Sequence, residues 1–308
     1  MLFSSHTFII ISCTACAAGA FYITIHYLVM NMKKDIKLIA LDMDGTLLTF
    51  DKRLSERNRI ALQRASDRGI HIVPATGRLF SGLPQVVLGL PWLKYAINSN
   101  GASVYDVDGD SVLYHAEIPL SQAVRMMSWL DGLPVIYDCY MDDRGWMTRT
   151  MYDQIATYAY DPIVVDYMRS IRTPVDDLKS FVSARCMDVQ KIQAFCLDVR
   201  TQRHLLFHTP FPNLTVSSSV ERNVEFNHKD ANKGAALLAL AAHLHIPRAQ
   251  IMAFGDGAND IPMLRDAGIG VAMGNAPEEV KAAADVIAAG NDEDGVAGII
   301  ESLVLSDG

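Results

Sequence analysis

Two aspartates directly follow the first apolar run of the chain. Asp42 and Asp44 stand two positions apart after residues 37–41, Lys-Leu-Ile-Ala-Leu. That run is too short for a helix and ends at a glycine-containing turn, so we predict a buried strand. Alternate residues of a strand share one face, so both carboxylates project the same way, roughly 6–7 Å apart. Open α/β sheets bind ligands at this end of their strands, although an acidic pair alone is also typical of a solvated turn.

A second acidic loop makes the solvated-turn interpretation less favourable. Residues 255–260, Gly-Asp-Gly-Ala-Asn-Asp, follow the apolar run 251–254 and precede a helical pattern that begins near Ile261. Asp256 and Asp260 therefore also lie at a strand end. Carboxylates from two strand ends suit Mg²⁺, which prefers oxygen ligands and is usually held by a few carboxylates together with substrate phosphate.

Groups suited to a phosphoryl ligand lie between the two acidic loops. Thr76, Gly77 and Arg78 follow the predicted strand 71–75, and Lys233 opens a long helical pattern. A hydroxyl, free backbone N–H groups and an ammonium group are what a bound phosphoryl group needs. The spacing thus predicts a site for a cation and a phosphate.

These motifs as a set resemble the haloacid dehalogenase (HAD) superfamily, in particular its Cof-type phosphatases of subclass IIB, which carry a large α/β cap. The matching segments are residues 42–48, 76–78, 98–102, 232–234, 255–264, 270–277 and 294–296. The resemblance runs from about residue 33 to the C-terminus, and between about 118 and 220 it is one of general character only.

The resemblance implies a role for each matched residue. Asp42 would be the nucleophile that forms an aspartyl-phosphate, and Asp44 the general acid and then the general base. Mg²⁺ would be held by Asp42, the backbone carbonyl of Asp44 and Asp256, with Asp260 supporting them. The implied catalytic set is Asp42, Asp44, Thr76 and Lys233, and the implied phosphate-binding set is Met43, Thr76, Gly77, Lys233 and Asn259.

Other residues near these motifs have ordinary structural interpretations. An arginine at a helix start, such as Arg78, more often makes a surface or inter-domain ion pair than a ligand contact. Asn98 and Asn100 are typical of a turn before Gly101. In the predicted cap, several side chains are candidates for substrate recognition, or equally for cap core and solvated turns: Tyr137, Asp138, Tyr140, Asp142 and Arg144.

Composition agrees with an enzyme that acts on small molecules. The 308 residues are half hydrophobic and carry a formal charge of −8, which argues against non-specific binding to nucleic acid or anionic membranes. The five cysteines show no disulfide framework. No GxGxxG motif follows the first strand, which disfavours a dinucleotide-binding oxidoreductase.

The N-terminal segment is apolar over residues 8–30, long enough to span a bilayer. One interpretation is an extended start or an unimportant extension, because residues 30–37 resemble an ordinary beginning for the family. The second is a membrane anchor that keeps the catalytic part in the cytoplasm, because Lys33 and Lys34 follow it. A cleaved signal peptide fits less well, because no lysine or arginine precedes Phe8.

The predicted fold is α/β, with a doubly wound parallel-sheet HAD-like core and an inserted α/β cap. We expect an extension at residues 1–32, a core formed by 33–117 and 221–308, and a cap at 118–220. Core elements are predicted as strands 37–42, 70–75 and 95–98 and helices 55–68 and 78–89, followed by a hairpin within 104–114. Cap strands are predicted at 135–140, 189–195 and 214–217, and the core resumes with a strand around 222–226.

The sequence therefore predicts a Mg²⁺-dependent phosphomonoesterase whose partner is a small phosphate ester. A sugar phosphate, pyridoxal phosphate and a flavin-pathway phosphate are the candidate substrates. A phosphotransferase or phosphomutase using the same chemistry is the main alternative, and a catalytically silent HAD-fold binding protein is the other. The oligomeric state stays open.

Overall fold

The computed structural model describes residues 35–159, 162–218 and 221–306. The apolar segment 8–30 lies outside these residues, so its three interpretations stay predictions. Among the residues described, no helix combines the length and the apolar character needed to cross a membrane.

Strands alternate with helices in the first and last parts of the described chain. The strands are β1 (Leu38–Leu41), β2 (His71–Pro74), β3 (Tyr95–Asn98), β4 (Ser103–Asp106), β5 (Ser111–His115), β6 (Val135–Met141), β7 (Arg144–Thr148), β8 (Arg172–Val175), β9 (Lys191–Cys196), β10 (Leu214–Ser217), β11 (Asn223–His228), β12 (Ile251–Gly255), β13 (Ile269–Ala272) and β14 (Val286–Ile287). The helices are α1 (Glu56–Asp67), α2 (Gln85–Leu88), α3 (Leu120–Leu130), α4 (Arg149–Asp153), α5 (Ile155–Tyr158), α6 (Pro162–Ser170), α7 (Leu178–Arg185), α8 (Val199–Phe207), α9 (Lys233–His243), α10 (Ile261–Asp266), α11 (Glu278–Lys281) and α12 (Gly295–Leu303).

The core is a five-stranded parallel sheet in the order β14-β13-β12-β1-β2. Both faces of β1 are buried, as expected for a strand in a parallel sheet. Ile39 and Leu41 pack into the cluster that includes α1 and α12, whereas Leu38 and Ala40 pack into the cluster that includes α9 and α10. Helices therefore cover both faces, and the doubly wound α/β prediction is confirmed.

Strand β3 continues the core beyond β2. Ala75 and Ile97 form a parallel bridge next to the end of β2, and β3 also begins an antiparallel sheet in the order β3-β4-β5. The predicted hairpin is β4–β5, and its turn lies at residues 107–110. Helix α1 begins as predicted, with the Ser55 hydroxyl accepting a hydrogen bond from the Asn58 N–H at 3.2 Å.

The predicted helix over 78–89 is wrong in extent. Only Gln85–Leu88 is helical, and the chain from Arg78 to Pro84 runs through turns. Pro84 disfavours a helical conformation at the residue before it, and Gly82 lowers helix propensity in the same stretch. Arg78 therefore stands on a loop and not at a helix start.

A second sheet has six strands in the order β10-β11-β9-β6-β7-β8, paired antiparallel except for the parallel β7–β8 pair. The strand predicted around 222–226 is β11, and it belongs to this sheet, so its assignment to the core is wrong. Alternation in β11 matches an antiparallel sheet with one polar face, because Val224 and Phe226 are packed apolar residues while Glu225 and Asn227 are polar. We propose on this basis that the cap extends to about residue 228 rather than 220.

The six-stranded sheet has one apolar and one largely polar face. Its apolar face packs Tyr137 and Cys139 with residues from α3, α7 and α8. In register across the other face, Asp138 pairs with Gln193, and Gln193 pairs with Glu225. This polar face contacts the core, because the buried Lys191 ammonium on β9 donates to the carbonyl oxygen of Gly77 at 2.8 Å.

Candidate active site

A buried lysine joins the two acidic loops. Lys233 is fully buried at the first turn of α9, and its ammonium lies 2.5 Å from Asp42 Oδ1 and 2.6 Å from Asp260 Oδ1. The helix start is fixed by the Asn232 side chain, which accepts from the Ala235 N–H at 2.8 Å. A cation at a helix N-terminus is unfavourable by itself, so the two carboxylates are what stabilise Lys233 there.

Three carboxylates converge beside this lysine. Oxygens of Asp42, Asp256 and Asp260 all lie within 4.8 Å of one another. Asp260 is oriented by accepting hydrogen bonds from the N–H groups of Asp256 and Gly257 at 2.9 and 2.8 Å. Thr46 fixes Asp256 by donating its hydroxyl to Oδ1 at 2.7 Å.

The donor set fits a hard divalent cation. The three clustered groups are carboxylates, the ligand type that Mg²⁺ prefers, and they face one ammonium group, so negative charge is in excess. Burial, aided by the neighbouring carboxylates and opposed by Lys233, raises the pKa of Asp42 to about 8. Burial likewise raises the pKa of Asp256 to about 6.

Gly45 is required for this approach of the two loops. Its φ of +91° is a left-handed conformation, and a Cβ there would lie 2.3 Å from Asp256 Oδ2. Any side chain would therefore be strained and would displace Asp256. The glycine in the turn after β1 thus allows the second acidic loop to come close to Asp42.

Asp44 is held apart from the three clustered carboxylates by two cations. Arg78 binds both of its oxygens, each at 2.9 Å, and the half-exposed Lys52 lies 2.8 Å from Oδ1. Burial opposes ionisation of Asp44, but the hydrogen bonds and charges of Arg78 and Lys52 prevail and lower its pKa. Arg78 therefore makes an ion pair within the site, and its guanidinium also lies 5.2 Å from the ring centre of Tyr167 on α6.

The residues predicted to bind phosphate surround the same strand ends. Thr76 is buried, and its hydroxyl accepts from the Arg78 N–H at 3.1 Å. Met43 has a fully buried side chain, so only its backbone can serve a ligand. Asn259 lies in the second acidic loop and donates its amide to Asn100 Oδ1 at 3.1 Å. Their roles toward phosphate stay predictions.

Thr46 and Lys52 are site residues that sequence reasoning missed. Thr46 stands inside the motif, where its position after the glycine turn could have indicated a hydroxyl aimed back at the site. Lys52 reaches Asp44 from an exposed hairpin in which Thr49 and Arg53 pair through their backbones, and no sequence signal points to it.

The five cap residues considered for substrate recognition do not all lie on one face of the six-stranded sheet. Asp138 and Tyr140 lie on the polar face, where Asp138 forms a buried ion pair with Arg172 at 2.5 Å. Tyr137 lies on the opposite face and donates to Asp131 at 2.6 Å. The remaining two candidates flank the β6–β7 turn, with Asp142 lying 3.5 Å from Arg185.

Comparison with known proteins gives a family match over most of the chain. The family model of haloacid dehalogenase-like hydrolases matches residues 39–300. Phosphatase YwpJ of Bacillus subtilis (strain 168) is 32% identical over 297 residues, covering 87% of this chain and all of that protein. 5-Amino-6-(5-phospho-D-ribitylamino)uracil phosphatase YcsE of the same organism is 29% identical, covering 88% of this chain and 97% of that protein.

A solved structure gives the same match at the level of the fold. The HAD subclass IIB sugar phosphatase BT4131 has a TM-score of 0.71 and 25% sequence identity to this chain. The similarity covers 86% of this chain and 98% of that one. It therefore includes the cap sheet as well as the parallel core.

Proposed function

The chain belongs to the haloacid dehalogenase-like hydrolase family, and on that premise we propose that it is a Mg²⁺-dependent phosphomonoesterase that works through an aspartyl-phosphate. The observation that carries the proposal is the contact of Asp42 with Lys233 inside a cluster of three carboxylates. This arrangement supports the proposal because it would give a carboxylate nucleophile a fixed positive charge and, at the neighbouring strand end, further carboxylates for a cation. A silent binding protein has no physical need for such a concentration of buried charge.

Asp42 is the proposed nucleophile. One of its carboxylate oxygens attacks phosphorus, the ester P–O bond breaks, and the phosphoryl group is transferred to Asp42. Lys233, which already contacts Asp42, offsets the repulsion between the carboxylate and a phosphate dianion. The hydroxyl of Thr76 and the N–H groups of Met43 and Gly77, with the Asn259 amide, are the proposed donors to the phosphoryl oxygens.

Asp44 is the proposed acid and base. It gives a proton to the departing alkoxide and then takes one from the water that attacks phosphorus and breaks the bond to Asp42. In the structure Arg78 and Lys52 favour its carboxylate form. A phosphate dianion arriving beside it raises the pKa of Asp44 by like-charge repulsion, which favours the protonated form that the first step needs.

Asp42, Asp256 and the backbone carbonyl of Asp44 are the proposed cation ligands, with Asp260 orienting Asp256 through its N–H. When bound, Mg²⁺ supplies positive charge that stabilises the charge on the transferring phosphoryl group. The excess of negative charge among the three carboxylates supports this assignment.

We propose that the substrate is a small phosphorylated metabolite recognised by the polar face of the cap. A flavin-pathway phosphate and a sugar phosphate are supported by the relatives named above, and pyridoxal phosphate completes the candidates. Tyr140 lies on this polar face and is the proposed contact to the leaving group, whereas Asp138 is fully buried in its ion pair with Arg172.

The test is hydrolysis of these three classes of phosphate ester by the full-length chain, with Mg²⁺ and with a chelator. We expect turnover that needs Mg²⁺ and that falls by about 10³-fold or more in Asp42→Asn, since that variant lacks the nucleophile. Asp67→Asn, an exposed aspartate on α1, is the matched control and should retain full activity. Equal rates in wild type and Asp42→Asn would exclude the aspartyl-phosphate mechanism. Phosphate transfer to an added sugar in place of release to water would identify a phosphotransferase.

A further inference from the structure

We propose that Asn100 is a positioning residue that couples the seating of the cap on the core to the orientation of the phosphate-binding amide of Asn259. This inference rests on the proposed function, because it takes Asn259 to be a phosphate ligand. Asn100 lies in the 98–101 turn, which we define as the last residue of β3 and the three residues that follow it.

The backbone of the 98–101 turn has an uncommon conformation. Ser99 and Asn100 both have positive φ, 50° and 61°, and Gly101 follows at 93°. Asparagine tolerates the left-handed region better than most residues, but serine does so rarely. A chain adopts such a sequence of conformations only where surrounding contacts hold it.

Those contacts are made with the groups of the active site. The Asn100 N–H donates to the Thr76 carbonyl at 3.0 Å, and the Ser99 N–H donates to the Arg78 carbonyl at 2.9 Å. On the other side, a Cβ at Gly101 would lie 2.3 Å from the Asn232 carbonyl oxygen, next to Lys233. The 98–101 turn is therefore packed between the loop of residues 76–78 and the start of α9, which carries Lys233.

The side chain of Asn100 connects two parts of the molecule. Its amide nitrogen donates to Glu225 at 2.7 Å and to Asn227 at 3.3 Å, both on the cap strand β11. Its amide oxygen accepts from the Asn259 amide at 3.1 Å. Asn100, Glu225 and Asn227 are all buried, so water does not weaken these bonds, and the bond to Glu225 is charge-assisted.

This connection has a consequence for phosphate binding. The NH₂ group of Asn259 has two hydrogens, so when Asn100 holds one of them the other is fixed in direction. When β11 withdraws from the core, Asn100 loses the two partners that orient it, and the Asn259 amide is no longer held. The site is then fully formed only with the cap seated, which matches the need to exclude water until the leaving group is bound.

Three variants distinguish the proposed coupling between the cap and Asn259 from a purely structural role of Asn100 in the turn. Asn100→Gly retains the left-handed turn, because glycine adopts it without strain, but removes the connection. Asn100→Asp keeps an acceptor for Asn259 and replaces the donor to Glu225 by a carboxylate beside another carboxylate. In the double variant Asn100→Asp/Glu225→Gln, the glutamine amide can donate to the new aspartate carboxylate. The hydrogen bond is then restored with its direction reversed.

The measurements are kcat and KM for the best ester, the affinity for inorganic phosphate in the presence of Mg²⁺ by calorimetry, and Tm. We expect Asn100→Gly to lower Tm modestly, because Glu225 and Asn227 each lose a buried partner. The variant should lose about 10- to 100-fold in kcat/KM and in phosphate affinity, the size typical of a misplaced binding group. Asn100→Asp should show a similar loss, and the double variant should recover most of it.

Wild-type kinetics and phosphate affinity in Asn100→Gly would overturn the proposal, and so would a double variant no better than Asn100→Asp. These results are distinct from failure of the proposed function, since that is tested by Asp42→Asn, in which the bonds of Asn100 are intact. Phosphate affinity is also measured without turnover, so it tests the connection independently of the chemical step.

Discussion

The core and the cap each bury charged side chains, but they do so in different ways. In the core, the carboxylates of Asp42, Asp256 and Asp260 lie together beside one lysine. In the cap, Asp138 is matched by Arg172 at 2.5 Å, and both are almost completely buried. The cap pair is balanced by itself, whereas the core cluster holds three carboxylates against one ammonium group.

The difference shows how buried charge can be interpreted. A balanced pair between neighbouring strands is explained by the fold alone, because each charge compensates the desolvation of the other. An unbalanced cluster is not explained by the fold and indicates a missing partner. Removing charge from each region in turn tests this distinction.

The largest effect is expected for Lys233→Met. The variant leaves buried carboxylates without their cation, so kcat/KM should fall by about 10³-fold or more. The free energy of unfolding in chelator should fall by about 3–5 kcal/mol, and Mg²⁺ should recover part of that loss. Urea unfolding with and without Mg²⁺ measures this, with the exposed Lys94→Met as the control.

A similar loss of stability but a smaller loss of activity is expected for Arg172→Met. It leaves Asp138 uncompensated, so the free energy of unfolding should fall by about 3–5 kcal/mol. The double variant Arg172→Met/Asp138→Val should regain most of it, because it removes both charges. Mg²⁺ should have no effect on this loss. Recovery of Arg172→Met by Mg²⁺ to the same degree as Lys233→Met would show that the two regions do not differ as described.

The smallest effect is a pH dependence of stabilisation by Mg²⁺. Burial raises the pKa of Asp42 in the folded metal-free protein from 3.8 to about 8. Its protonated form therefore contributes stability that is complete below about pH 4 and is lost as the pH rises to about 8. Metal binding needs the carboxylate, so the rise in Tm caused by Mg²⁺ should be larger at pH 8 than at pH 6. The release of one proton changes the free energy of stabilisation by Mg²⁺ by about 2–3 kcal/mol across these two pH units.

Thermal unfolding at the two pH values, with Mg²⁺ and with chelator, measures that difference. The Asp42→Asn variant provides the control, since it has no proton to release and should show a smaller dependence on pH. A stabilisation by Mg²⁺ that is equal at both pH values in the wild type would mean that Asp42 does not titrate in this range.

Sequence patterns predicted the core elements best. The run before Asp42 and the run before Asp256 are apolar on both faces, as is typical of strands in a parallel sheet, and the two strands do pair side by side. The same patterns placed Asp42, Asp256, Asp260 and Lys233 at one edge. The structure brings these four side chains together.

The failures have physical causes that local patterns do not contain. Strand β11 is predicted as a core strand, yet it pairs with the preceding cap strand β10 and with the more distant cap strand β9. Lys52 reaches Asp44 only because a hairpin folds over the site. Arg78 was expected in a surface or inter-domain ion pair, but the turns around Gly82 and Pro84 direct it to Asp44.

The pairing of β1 with β12 also bears on how the molecule folds. The hydrogen bond from Thr46 to Asp256 joins residues 210 positions apart, with the whole cap lying between them in the chain. Contacts of such long sequence separation form slowly, because the intervening chain must lose much of its freedom first. The cap hairpin β6–β7 is local by comparison. We therefore expect the carboxylates of Asp42 and Asp256 to be among the last groups brought together, after most of the chain has left the ribosome.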